Sequence, residues 1–199
     1  MENVCGQYSY LASREELLTR YQLEETESFE LEEAEVFYPQ GKHPILLPNQ
    51  KIYNVQWGLV PSFAKRPLIN ARVETILDKK TFREPFLKKR CIVPATRFYE
   101  WQTNNENHGT IRYDISLETL PIFSMAGICE RYFNEDGSSY LTYAILTTEP
   151  NEQMRAIHDR MPVILEPDFE QRYLDLAEDV EDLLPHLTAT QRPLKLEMH

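Results

Sequence analysis

The stretch that decides the fold runs from residue 121 to 148: PIFSMAGICERYF over 121–133, the turn Asn134-Glu135-Asp136-Gly137, and YLTYAILTT over 140–148. Two apolar runs rich in aromatic and β-branched residues, joined by an acidic turn that ends in glycine, predict a β-hairpin. Toward the N-terminus, similar runs follow one another at Cys91–Pro94, Arg97–Gln102 and Ile111–Leu117. Ahead of them, Lys51–Val60 reads as a strand with Tyr53, Val55 and Trp57 on one face. Shorter strands are expected at Val36–Tyr38, at Ile45–Leu47 between Pro44 and Pro48, and at Met161–Leu165. Ser13-Arg14-Glu15-Glu16 and Thr81-Phe82-Arg83-Glu84 carry the capping-box pattern, predicting helices over 13–22 and from Thr81. Helical turns are expected at 73–77, from Pro150, and at 168–174 and 180–184. Consecutive strands that outnumber helices predict an α+β fold on mainly antiparallel sheet rather than alternating βαβ units.

Composition narrows the functional classes. The 22 aromatic residues among 199 supply enough apolar surface for a core, which excludes a disordered chain. No apolar run approaches the ~18 residues that span a bilayer, and the first residues lack a basic and apolar leader, so a cytoplasmic protein with no membrane contact is expected, with a monomer as the default oligomeric state. Cys5, Cys91 and Cys129 stand 86 and 38 residues apart and form neither a metal cluster nor a disulfide framework. No glycine-rich phosphate loop is present, and no metal or organic cofactor is expected. The formal net charge is −11, but it is unevenly laid out: residues 51–112 hold twelve basic and five acidic side chains. That cationic island either binds a polyanion, if Arg72, Arg83, Lys88, Lys89, Arg90 and Arg97 share a face, or is neutralised by the acidic segments around it.

Four positions stand out chemically. Cys5, followed by the permissive Gly6, reads as a small apolar residue or as a nucleophile. Asn70-Ala71-Arg72-Val73-Glu74-Thr75 packs an amide, a guanidinium and a carboxylate into one turn, with Asn70 either a helix cap or a site residue. Glu100 interrupts the aromatic run Arg97-Phe98-Tyr99-Glu100-Trp101. Alternation puts Phe98, Glu100 and Gln102 on one face and Tyr99 and Trp101 on the other. A carboxylate beside Phe98 either meets water at an edge or sits in a partly dry site where its pKa rises. His158-Asp159-Arg160-Met161-Pro162 closes a predicted helix with a titratable ring and a cation, either complementing the helix dipole or forming part of a site. Cys91 and Cys129 lie in apolar strand patterns and are expected in the core.

Taken together and in order, these segments resemble the SRAP family, the SOS-response-associated peptidase or abasic-site-processing proteins. The resemblance runs through Cys5-Gly6, Trp57-Gly58-Leu59-Val60-Pro61, Asn70–Thr75, Arg90–Ala95, Phe98-Tyr99-Glu100-Trp101 and His158–Pro162. It implies one domain over 1–199, a mainly antiparallel β pseudo-barrel with flanking short helices, and a positively charged groove for single-stranded DNA containing abasic sites. It also implies an N-terminal cysteine that bonds covalently to such a site, with Cys5, Asn70, Glu100 and His158 as the catalytic set. Arg72 and Arg160 are the implied backbone-gripping arginines, with Arg97 or Arg90 as further phosphate contacts. Trp57, Phe63 and Trp101 offer planar surfaces for bases, and Pro61 and Phe63 lie in a loop suited to wedging against a duplex end.

Elementary chemistry accords with that implication. A ring-opened abasic sugar is an aldehyde, which an unprotonated amine attacks to give a Schiff base. An α-amine, with a pKa of ~8 against ~10.4 for lysine, keeps a neutral fraction at pH 7 without burial. A thiol on the same residue can then close a five-membered thiazolidine. Here Met1-Glu2-Asn3-Val4 precede Cys5, and Glu2 is too large for ordinary Met excision, so cleavage between Val4 and Cys5 is expected, through Cys5, Glu100 and His158. Gln7 stands where the family usually has arginine. Two other readings are open: a cysteine peptidase or hydrolase acting in trans, and a non-catalytic single-stranded nucleic-acid-binding module.

Overall fold

The structure, a computed structural model, describes residues 5–24, 29, 36–103 and 109–199. In chain order the strands are β1 (Tyr8–Ser9), β2 (Lys42–Leu46), β3 (Ile52–Trp57), β4 (Asn70–Arg72), β5 (Arg90–Ala95), β6 (Arg97–Thr103), β7 (Thr110–Leu117), β8 (Phe123–Phe133), β9 (Ser139–Thr148), β10 (Met161–Pro162), β11 (Ile164–Leu165) and β12 (Leu194–Met198). The helices are α1 (Arg14–Tyr21), α2 (Lys80–Lys88), α3 (Glu152–Arg155), α4 (Glu170–Leu174) and α5 (Val180–Leu183). Strands β9, β3, β2, β5 and β8 pair in a cycle that returns to β9, so the larger sheet closes into a barrel. The expected α+β pseudo-barrel with short flanking helices is therefore present. Two pairings depart from antiparallel order, because β3 and β4 both run parallel to β9.

Strand β9 anchors two of the segments that the sequence singles out. Residue Thr147 is in register with Arg72 of β4 on one edge and with Pro162 of β10 on the other. The segments around Asn70 and His158 are thereby attached to opposite edges of one strand. The interior beneath them is filled by Trp57, Tyr143 and Tyr8; the indole and the Tyr143 ring are stacked, and the Tyr8 and Tyr143 hydroxyls lie 2.8 Å apart. A Cβ on Gly127 would lie 2.9 Å from Cys91 Sγ, which is why β8 carries glycine where β5 crosses it. Cys91 and Cys129 are buried and free, as expected of core residues.

The smaller sheet, ordered β1-β6-β7-β12, turns Phe98, Ile115 and Leu194 inward. Its other face carries charges, with Asp114 accepting from Arg97 and Arg112. Helix α1 begins at a true capping box: Ser13 Oγ accepts from the Glu16 N–H and Glu16 accepts from the Ser13 N–H. It docks through Arg20, which pairs with Glu170.

Some expectations need correction. Helix α2 starts at Lys80 without a side-chain cap, so the Thr81 pattern is not a capping box there. Asn151, not Pro150, opens α3, its Oδ1 accepting from the Met154 N–H. Val36–Tyr38 contributes only the bridge from Phe37 to Tyr8. Strand β2 begins at Lys42 and passes through Pro44, which β3 tolerates because proline's missing N–H faces a position that β5, paired to β2 only at Leu46, leaves alone. Met161–Leu165 is two short strands pairing with different partners. Of the acidic 24–35 stretch, only Glu24 and Phe29 fall among the described residues.

Arg90 is the largest correction. It is fully buried, and its Nε, Nη1 and Nη2 donate to the carbonyls of Tyr173, Phe86 and Asp175 at 2.7, 2.8 and 2.6 Å. It ties α2, β5 and the end of α4 together and is closed to any polyanion. Arg90→Met is expected to cost roughly 3 kcal/mol or more, because two buried carbonyls and a part-buried one lose a charged donor. A urea midpoint that falls at unchanged slope would register this.

Candidate active site

Local pairing brings Cys5 to Glu100. Strand β1 lies antiparallel to β6 with Tyr8 opposite Phe98, and the Tyr99 N–H donates to the Gln7 carbonyl at 3.1 Å, so the chain ahead of Tyr8 runs back along β6 toward Glu100. The backbone nitrogen of Cys5 donates to Glu100 Oε1 at 2.6 Å. Both residues are buried, at 0% and 2% exposure, so the carboxylate is inside rather than at a wet edge. Burial, and then the Glu100 charge, push the Cys5 thiol well above its ordinary pKa, and the sulfur is a thiol near neutrality. Cys5 also has a φ of +47°, the left-handed region that non-glycine residues seldom occupy.

The Glu100 face continues to Gln102, as alternation along β6 requires. Gln102 accepts from the Tyr113 hydroxyl at 3.1 Å and donates to the Ala156 carbonyl at 2.5 Å. That bond joins the Glu100 strand to the segment carrying His158. The His158 side chain is 10% exposed, and its Nδ1 accepts from the Arg160 backbone N–H at 3.1 Å. Across β9, Asn70 is opposite Ile145 and Arg72 opposite Thr147; Ala71 points into the core and Arg72 is exposed. Glu74 follows in the turn after β4 and forms two bonds with Arg160, at 2.9 and 2.8 Å. Its partial burial favours the acid, but the Arg160 hydrogen bonds and charge, together with the Glu74 and Glu149 backbone N–H groups, outweigh that and hold its pKa below the usual carboxylate range.

The remaining sequence-derived site residues divide. Phe63 is 71% exposed in a loop whose base is closed by reciprocal Leu59–Leu68 backbone bonds and whose turn is closed by the Ala64 N–H on the Pro61 carbonyl. Trp57 does not offer a stacking surface: it is fully buried and its Nε1 donates to the Ile69 carbonyl at 3.0 Å. Arg97 and Trp101 lie on the face of β6 opposite Glu100, where Arg97 is engaged by Asp114. Arg160 is buried and bonded to Glu74, so it does not present a free cation. Sequence reading overlooked Gln102 as the tie to the His158 segment and Glu74 as the partner of Arg160. The alternation that put Gln102 on the Glu100 face was the available signal for the first. A cavity of 840 Å³ beside Glu74, Asn151 and Leu187 is lined by none of Cys5, Asn70, Glu100 or His158.

Fold and site together define a closed α+β barrel that sets a cysteine amide on a buried glutamate beside a histidine-bearing loop. The chain belongs to the SOS response associated peptidase (SRAP) family, whose model matches residues 4–199. It is 33% identical over 204 residues to the abasic site processing protein YoaM of Bacillus subtilis (strain 168), covering 92% of this chain and 85% of that protein. It is 32% identical over 178 residues to the abasic site processing protein HMCES of Gallus gallus, covering 70% of this chain and 53% of that protein. Among solved structures, a protein from Bacteroides thetaiotaomicron matches with a TM-score of 0.88 at 29% identity, covering 98% of this chain and 91% of that one. One from Bordetella bronchiseptica shares the fold, with a TM-score of 0.81 at 21% identity, covering 98% and 99%.

Proposed function

We propose that this chain recognises abasic sites in single-stranded DNA and becomes covalently linked to them through Cys5, once the residues ahead of Cys5 are removed. The observation that carries the reading is the buried 2.6 Å hydrogen bond from the Cys5 nitrogen to Glu100. A carboxyl group there serves the same nitrogen twice.

In processing, Cys5 Sγ adds to the Val4 carbonyl carbon, the Val4–Cys5 C–N bond breaks, and the nitrogen takes up a proton as it leaves as an amine. Water then hydrolyses the thioester, releasing residues 1–4 as an acid and restoring the thiol. In linkage, the amine adds to the sugar aldehyde, the carbinolamine loses water to give an imine, and the thiol adds across the C=N bond, its proton passing to nitrogen. The product is a thiazolidine. Glu100 moves protons to and from the nitrogen throughout, Asn70 holds the amine or a sugar oxygen without adding charge, and His158 assists opening of the sugar ring.

Three further observations support the reading. The left-handed backbone at Cys5 stores of order 1–3 kcal/mol beside the bond to be cleaved. A thiol held protonated is a poor nucleophile toward peptides in trans, but it can react with a carbonyl one residue away, where proximity substitutes for thiolate. Exposed Arg72 and Phe63 suit a strand bound by phosphate and stacking contacts, which ignore base identity. The relatives' names as abasic site processing proteins point the same way.

Purified protein mixed with a single strand bearing one abasic site should yield a species that survives heat and denaturing electrophoresis. Its intact mass should lack residues 1–4. A full-length mass with no such species ends the reading, and turnover of unrelated peptides would transfer it to a peptidase in trans.

A further inference from the structure

Strand β9 carries three structures in order along one edge. Its first residues, 139–141, border an open cleft; Thr142 and Tyr143 then lie in register with Gln56 and Trp57 of β3, and residues 145–147 with β4. The loop bearing exposed Phe63 leaves the same edge between β3 and β4. Its base is tied to β8, because the Val60 N–H bonds the Tyr132 hydroxyl. The cleft exists because β3 and β9 pair only through that short ladder. Ahead of it, residues 53–55 belong to the β2 ladder and residues 139–141 to the β8 ladder, and the two strands part.

The cleft has a volume of 300 Å³ and is lined by Lys42 from the β3 side and Arg131 from the β9 side, with Tyr53 and Tyr140 between them and no carboxylate among the described residues. A chain of net charge −11 repels a polyanion over most of its surface, so two cations without an acid mark a place where one can be held. Both cations are exposed, and neither forms a salt bridge with a described residue. Arg131 Nη1 donates to Ser139 Oγ at 2.9 Å, which steadies the guanidinium and leaves its remaining N–H donors to offer. Leu141 and Thr147 share a face of β9. Arg131, in register with Leu141, and Arg72, in register with Thr147, therefore stand on one face of the sheet about 20 Å apart at the usual strand rise.

We propose that this cleft is a second nucleic-acid subsite, which holds phosphates of the intact strand on one flank of the abasic site, with Tyr53 and Tyr140 as faces for its bases. At the ~3.4 Å per nucleotide of a stacked strand, the distance between the Arg72 and Arg131 rungs corresponds to about six nucleotides. Phosphate and stacking contacts ignore base identity, so the subsite adds reach without sequence preference. It rests on the recognition of abasic strands proposed above and adds no step to the chemistry.

The test is reversible binding of the full chain carrying Cys5→Ala to single strands with one abasic site. One strand has about two nucleotides on each side of the site; two others are extended to about ten on one side or the other, more than enough to span ~20 Å. Extension on one side only should tighten binding and steepen its salt dependence. On that strand Arg131→Gln and Lys42→Gln should each reduce the slope by about 0.7, the single-strand value for one lost phosphate contact, and on the other two strands they should change nothing. Tyr140→Ala should weaken only the same complex, by about fivefold or more, as loss of one stacked base does. Ser139→Ala removes the Arg131 hydrogen bond and keeps the charge, so its slope should match the parent's. A match to Arg131→Gln instead would make Arg131 a staple of the hairpin and overturn the subsite. So would an Arg131→Gln effect that is absent from every strand or equal on all three, the latter being what a bound inorganic phosphate or the general field gives. Flank-dependent binding in a protein whose parent forms no adduct would overturn only the proposed chemistry; adduct formation with no flank dependence would overturn only the subsite.

Discussion

Cys5→Ala is expected to eliminate the heat-stable species entirely while leaving reversible binding to single-stranded DNA intact. The same variant should keep residues 1–4, because the sulfur proposed to attack the Val4 carbonyl is gone. The effect is all-or-none for a chemical reason: alanine retains neither the route to a free amine nor the group that closes the ring. Cys5→Ser separates the two steps. Supplied with its preceding residues removed by an added protease, it should give an imine that borohydride captures but that hydrolyses on heating without reduction, since an oxygen closes a less durable ring than sulfur. The measurement is electrophoresis of labelled oligonucleotide with and without reductant. A Cys5→Ala protein that still forms the heat-stable species would place the reacting group elsewhere.

Glu100→Gln should be the next most damaging change, lowering the rate of linkage by about 10²- to 10⁴-fold, the usual contribution of a positioned proton-transfer group. The substitution preserves shape, and the glutamine Oε1 can still accept from the Cys5 nitrogen, so folding should survive; only the ability to exchange a proton is lost. Glu100→Asp keeps the acid but draws it back by one methylene from a contact of 2.6 Å, and should recover part of the rate. Melting curves superimposable on the parent, together with a slow rate, separate this outcome from loss of structure. Equal rates for Glu100→Gln and the parent would remove Glu100 from the chemistry.

How far these roles could be read beforehand depended on the distance over which each is decided. The Ser13–Glu16 cap and the Asn134–Gly137 turn are settled within four residues, and both are found where the sequence puts them. The Leu194, Leu196, Met198 alternation is equally local and marks β12, a strand absent from the sequence expectations. Parallel pairing of β3 and β4 with β9 is not local: nothing in Ile52–Trp57 states which strand will lie beside it. The contact between Cys5 and Glu100 spans 95 positions, and only the family resemblance joined them in advance. The internal pairing of the cations was hidden for the same reason. Arg90 and Arg160 have the composition of a phosphate site, but the carbonyls and carboxylate that claim them come from 4 to 86 residues away. Trp57 was misjudged because period-two alternation reports that a ring shares a face with Tyr53 and Val55, but not whether that face is covered.

The long β8–β9 hairpin has a practical use. Its turn around Gly137 is exposed, with nothing within 4 Å of the place a side chain would occupy, while the Thr147 rung lies eight residues up the strand, about 26 Å at the usual strand rise. Tolerance of insertion concentrates at such tips. A fluorophore or affinity epitope grafted between Asp136 and Ser138 would therefore let single molecules be watched as they engage a lesion, leaving both chain ends, and any trimming that occurs there, untouched.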